Sequence, residues 1–281
     1  MIIRTLVILL LVAAIFGGSG YFAYEYFLKP RKLDLQEKKL AEAAPPAPPP
    51  DPSIAAFENL KPLLEQETPA AQTALTEFLT SYPDSPMAPA ARAAAGRINI
   101  SLLLSPVPSP EKAFYSVVSG DSLVKIAAKN KSGAELIYRA NHLATINLQI
   151  GQQLVIPKLE TSLVVDRAAN TVTLLNAGAF VREYPVRSLK LPPTATKGTI
   201  ETKVTEKVAM KGTVRAAFGT KDFEGSERWI LLGIPGAILR GTPLPGEDGT
   251  LPPMPGGIVV DPGDAEEISL LTTKGSPVTI K

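Results

Sequence analysis

The 281-residue sequence contains no cysteine and a single histidine, His142. Without a thiol there can be no disulfide, no thiolate nucleophile and no lipid-modified cysteine. One imidazole and no thiol also exclude a His/Cys metal site, and a serine triad would have to borrow His142 from a different part of the chain. A charge bias of either sign is missing as well. Lys and Arg number 29 against 27 Asp and Glu, for a net charge of +2, and the basic residues are scattered, so no nucleic-acid partner is expected. No metal or cofactor is implied. Absence of cysteine is compatible with an oxidising compartment, and the length allows two or three small domains.

Long uncharged runs are scarce too, with one exception. Thr5 to Tyr24 carries no charge and is long enough to cross a hydrocarbon core as a helix. It predicts a transmembrane anchor over 1–28, retained because Gly17-Gly18-Ser19-Gly20 is followed by aromatics that suit a membrane interface. Lys29, Arg31 and Lys32 follow it and only Arg4 precedes it, a charge distribution that by itself favours a cytoplasmic C-terminus. Residues 29–53 then form a Pro/Ala-rich linker, in which Glu42 to Pro52 extends as a semi-rigid spacer. Over 54–104 apolar residues recur at helical spacing: Phe57, Leu60, Leu63 and Leu64, then Ala74, Leu75, Phe78 and Leu79, then Ala91, Ala95, Ile98 and Leu102. Three short helices are predicted, similar to a single tetratricopeptide-like hairpin. One such unit cannot stack into a solenoid and is expected to pack on itself or on a neighbour. A second linker covers 105–112.

Between 113 and 158, Phe114 to Val118 alternates as a strand, Ser119-Gly120 turns, and Asp121 or Ser122 caps a helix whose Leu123, Ile126 and Ala127 share a face. Leu136, Ile137 and Ala140 belong to a second helix, and Leu154-Val155-Ile156 to a returning strand. This βααβ pattern, with Tyr115-Ser-Val-Val-Ser-Gly-Asp-Ser-Leu123, Asn141-His-Leu143 and Ile150-Gly-Gln-Gln-Leu-Val-Ile-Pro157, resembles a LysM module. The resemblance implies a shallow groove for a glycan containing N-acetylglucosamine. It would be formed by Gly120, Asp121, Ser122 and Leu123 on one side and Asn147, Leu148, Gln149 and Ile150 on the other, with backbone groups pairing with the acetamide and Leu123, Leu148 or Ile150 packing against its methyl. Taken singly, Asp121 reads equally as a helix cap, and Leu123, Leu148 and Ile150 as core. His142 reads as a partly exposed residue after the second helix.

Residues 161–281 show Leu163–Asp166 and Asn170–Leu175 as a hairpin, Thr196-Lys-Gly-Thr-Ile200, Arg228–Leu232 as a strand, Arg240-Gly241-Thr242, Met254-Pro-Gly-Gly-Ile-Val259, a short helix over Asp264–Leu271, and a closing strand within Lys274–Ile280. This stretch resembles the mostly-β L,D-transpeptidase family, whose signature segments read His-Gly-Thr and Ser-His-Gly-Cys-Ile-Arg. Here the two histidines are Arg240 and Pro255, the cysteine is Gly257 and the arginine is Val259. Arginine accepts no proton, and without nucleophile and base the resemblance implies a catalytically inactive domain. A serine or threonine near a lysine, Thr242 or Ser276 with Lys274, is the remaining candidate nucleophile. The carboxylates Glu247, Asp248, Asp261 and Asp264 read as loop-solvating groups.

The expectation is a multidomain α+β protein of the cell envelope. It comprises a transmembrane helix, a small helical hairpin, a βααβ LysM module and a mostly-β L,D-transpeptidase-like domain. Its partners would be peptidoglycan glycan strands, the membrane and an envelope protein. The LysM resemblance places the C-terminal domains in the periplasm or cell wall, against the charges flanking the helix. The alternatives are an active cell-wall transpeptidase or hydrolase using Ser or Thr, and an assembly factor that recruits an envelope enzyme.

Overall fold

The structure is a computed structural model that describes residues 2–29, 31–32, 34–35, 38, 51–243 and 252–281. Most of the expected spacer, and with it Glu247 and Asp248, lies outside the described residues. The chain divides into two compact units, residues 1–50 and residues 51–281.

In the first unit, α1 (Ile2–Ala23) runs into a π-helical turn, Tyr24–Leu28. Leu6, Val7, Ile8, Leu9, Phe16, Tyr21 and Phe22 are exposed along α1. Among the described residues no helix is long and apolar enough to cross a membrane, which departs from the spanning helix expected over 1–28.

The second unit begins with three helices, α2 (Pro52–Leu64), α3 (Pro69–Ser81) and α4 (Ala88–Leu103). Asp51 accepts from Ser53 N and Thr68 from Ala71 N, each followed by a proline whose missing N–H costs nothing in a first helical turn. Phe57, Leu75, Phe78, Ala91 and Ile98 form their shared core. The small face of α4 then lies on the edge strand β5 (Ala179–Pro185) so closely that a Cβ on Gly96 would stand 2.8 Å from Arg182 Cγ. Buried Asn99 donates from Nδ2 to the carbonyls of Phe180 (3.2 Å) and Val181 (2.9 Å) and accepts from Gln72 Nε2 (2.8 Å). An amide side chain thus occupies acceptors of a strand edge that would otherwise be open to another chain.

Strands β1 (Lys112–Ser116) and β2 (Gln153–Pro157) pair antiparallel around α5 (Leu123–Asn130) and α6 (Ala134–Ala140). Of the two proposed caps, Ser122 is the one that accepts from Lys125 N. Val117, Leu123, Ile126, Ile137, Leu154 and Ile156 are the core of this module.

The remaining strands are β3 (Thr161–Asp166), β4 (Thr171–Asn176), β6 (Ser188–Lys190), β7 (Ile200–Lys211), β8 (Val214–Ala216), β9 (Glu227–Leu232), β10 (Ile238–Gly241), β11 (Gly257–Val260) and β12 (Pro277–Ile280), with α7 (Pro262–Leu271) before the last. The sheet order is β5-β4-β3-β12-β7-β9-β10-β11-β6, with β8 on β7; β12–β3 and β10–β11 are parallel and the other pairs antiparallel. Twelve-residue β7 joins the two halves. Its first four residues pair with β12, and after a register shift at Val204/Glu206 the rest pairs with β9. Helix α7 buries Ala265, Ile268 and Leu271 into a core shared with Leu163, Val204, Ile230, Leu239, Ile258 and Val278. Leu136 of α6 and Ile100 of α4 belong to that same core, so the three segments of 51–281 share packing rather than standing apart on linkers.

Candidate functional site

In the βααβ module the two loops proposed as groove walls are brought side by side by the backbone. Gly151 N donates to Val117 O (2.8 Å) and Val117 N to Gln152 O (3.0 Å). Gly120, at φ +82°, makes the turn and is exposed. Asp121 accepts from Val118 N and from Tyr115 Oη, both at 2.9 Å, and the backbone donor foremost, then the tyrosine, hold its carboxyl below the usual range. Its carboxylate therefore fixes the turn, and Ser122 is spent on the helix cap. Leu123 is buried and Leu148 packs partly against the module core, while Asn147, Gln149 and Ile150 are exposed, Ile150 to 75%. Val118, Val124 and Ile146 are also exposed, so these loops carry apolar side chains among the exposed polar side chains of Lys125, Asn147 and Gln149. His142 lies outside them. The histidine has φ +48°, and its Nε2 lies 2.9 Å from Leu104 O.

The second candidate site is where β10 and β11 run parallel. Arg240 stands opposite Trp229 on one side and Val259 on the other. Its guanidinium carbon lies 5.1 Å from the Trp229 ring centroid, Nη2 donates to Gly256 O at 3.3 Å, and Nε is buried with no partner among the described residues. Burial lowers its pKa, with Glu227 opposing. Val259 is fully buried, and Pro255 is half-buried. Gly257 is the decisive position: it is buried at φ +104°, and a Cβ built there would stand 2.2 Å from Ile238 O. No L-side chain fits without separating β10 from β11. Gly241 is similarly tight, its added Cβ falling 2.9 Å from Pro262 Cα. The four positions are thus brought together, but as packed backbone and a stacked cation. Ser276 is buried, accepts from Thr273 N at 2.9 Å and lies 3.3 Å from Thr161 Oγ1, so it braces a turn and presents no free hydroxyl. Asp261 pairs with Arg187 through two bonds of 2.9 and 2.7 Å, and Asp264 is held above its usual range by burial, with Arg182 opposing.

Residues 115–157 match the family model of the LysM domain. No curated protein matches the chain. Solved structures similar to it include an L,D-transpeptidase from Mycobacterium smegmatis, 12% identical over 63% of this chain and 87% of that one, with a TM-score of 0.31. Another is the L,D-transpeptidase from Stackebrandtia nassauensis, at 14% identity, 43% and 55% coverage and a TM-score of 0.30. A third is the catalytic domain of an E. faecium L,D-transpeptidase acylated by ertapenem, at 19% identity, 43% and 96% coverage and a TM-score of 0.29. The chain spans 55% of the length of the Stackebrandtia protein.

The LysM module has a second, buried face that the sequence did not signal. Leu136 points into the sheet core, Tyr138 meets Phe218 edge-on at 5.7 Å, and Arg139 pairs with Glu266 of α7. Gly219, at φ +87°, passes so close that its Cβ would lie 3.1 Å from Ile146 Cδ1. These partners are about 70 to 130 positions apart, and no local periodicity links them.

Proposed function

We propose that this chain is a non-catalytic cell-envelope protein that holds peptidoglycan glycan through its LysM module. The LysM match over 115–157 carries this reading. The groove would lie between the turn at Gly120–Leu123 and the loop at Asn147–Ile150, where exposed Ile150 and backbone groups suit an acetamido sugar. The C-terminal domain serves as a brace for the module. Gly257 leaves no room for a nucleophile, Arg240 is committed to Trp229 and Gly256, and Ser276 is buried in a turn.

The full chain should sediment with purified peptidoglycan sacculi. Ile150→Asp, at a site 75% exposed and so harmless to the core, should weaken retention about tenfold, the effect of losing one buried apolar contact worth about 1.4 kcal/mol. A protein that stays in the supernatant, or an Ile150→Asp variant retained like the parent, overturns the assignment.

α1 is proposed as the membrane anchor. This reading rests on the uncharged run Thr5–Tyr24 and on the exposed Leu, Val, Ile and Phe side chains among the described residues of α1. After alkaline carbonate extraction of membranes the full chain should remain in the pellet while a chain lacking residues 1–28 is released. Release of both defeats the anchor.

A further inference from the structure

The loop that follows β8 comes up against one wall of the LysM groove. Gly219, at φ +87°, passes so close to Ile146 that an added Cβ would stand 3.1 Å from its Cδ1, and Ile146 immediately precedes the Asn147–Ile150 wall. Phe218, one residue before Gly219, packs against the same module core as the groove residue Leu148. We propose that the sheet domain supplies part of the glycan site, an extension that rests on glycan binding by the LysM module. The loop 219–222 takes up sugars of the same strand beyond those held between Gly120–Leu123 and Asn147–Ile150.

This loop is fixed before any ligand arrives. Thr220 N and Oγ1 both donate to Ala217 O, at 3.1 and 2.8 Å, Phe223 N donates to Thr220 O at 3.1 Å, and Lys221–Phe223 form a single 3-10 turn. Phe218 meets the rings of Tyr138 (5.7 Å) and Phe223 (5.4 Å) edge-on, so the anchor of the loop is an aromatic chain that ends on a LysM helix. A ligand that meets a preformed loop loses little entropy in ordering it. In front of that anchor Gly219, Thr220, Lys221 and Asp222 are all exposed, while Phe218 is half-buried. Gly219 has no side chain to hold a sugar ring away from its backbone, and the Lys221 ammonium can donate to hydroxyl and acetamide oxygens. Ile146 and Ile150, 46% and 75% exposed on the loop between, offer apolar surface to the faces of the sugar rings. A site built this way reads the length of the strand: a short oligomer fills the LysM groove alone, and a longer one reaches the sheet domain.

The test is an NMR titration of the full chain with the trimer and the hexamer of β-1,4-linked N-acetylglucosamine. The trimer should shift the amides of 120–123 and 147–150, and the hexamer should shift these and the amides of 219–222. The hexamer also gains from the several registers it can offer to the groove, so affinity alone does not decide the matter. Lys221→Ala, at an exposed position, should leave the trimer Kd unchanged and raise the hexamer Kd about fivefold, the effect of one lost hydrogen bond. Hexamer shifts confined to 120–123 and 147–150, or a Lys221→Ala variant that binds the hexamer as the parent does, overturn the extension and leave the LysM reading standing. No shift with either oligomer in a folded protein overturns both.

Discussion

Gly257→Cys, the substitution that would restore a thiol to this position, is expected to destabilise residues 51–281 by about 3 kcal/mol or more and to create no acyl acceptor. Two penalties coincide. A φ of +104° is unfavourable for any L-residue, and the new Cβ would fall 2.2 Å from Ile238 O, a backbone atom held by the ladder between β9 and β10. Gly257→Ala should lose nearly as much, because the fault lies in Cβ and not in sulfur. Gly256→Ala is the control one residue away. That glycine is exposed and its added Cβ comes no nearer than 4.0 Å to Lys190 O, so a change within about 0.5 kcal/mol is expected. Thermal melting ranks the three variants. Mass spectrometry after incubation of Gly257→Cys/Arg240→His with a tetrapeptide-stem muropeptide should find no adduct. A stable Gly257→Cys protein, or a covalent acyl product, would falsify the view that this strand pairing has no space for a nucleophile.

Leu136→Ala should cost about 3 kcal/mol, the middle of the range for a buried leucine truncated to alanine. The informative part is where the loss appears. Leu136 sits on a LysM helix, yet it is 4% exposed and belongs to the core of the sheet. The variant should therefore lower the melting of the whole 51–281 unit in one transition, by about 6 to 12 °C for a chain of this size. Val124→Ala, on the preceding helix and 64% exposed, should leave the melt in place. Calorimetry that resolves two transitions, with only the LysM one displaced by Leu136→Ala, would show that the module and the sheet are thermodynamically independent.

Much of the local architecture could be read from short-range pattern. The three helices of the hairpin follow from apolar spacing at Phe57, Leu75, Phe78, Ala91 and Ile98, and proline marks the first turn of α2 and α3. The β3–β4 hairpin follows from alternation on either side of a turn at residues 167–170. Among the groove candidates the sequence left Asp121 and Ser122 interchangeable. Their roles divide only through Tyr115 Oη and Val118 N, which claim the Asp121 carboxylate and leave Ser122 to cap α5. Leu123 and Ile150 looked alike as apolar groove residues, but one is buried in the module core and the other stands exposed.

What the sequence determined by itself was chemistry excluded and units defined. No cysteine and one distant histidine remove thiolate catalysis wherever the chain folds, and the 115–157 pattern specifies a LysM unit because its turns, caps and core positions lie within a few dozen residues of one another. Tertiary structure alone decided that Gly257 has no room for a side chain, that Asn99 covers a strand edge and that Gly219 lies against Ile146. Each of these depends on atoms brought together across long loops. Steric overlap and charge pairing act through distance in space, which sequence spacing encodes only within a single helix or strand.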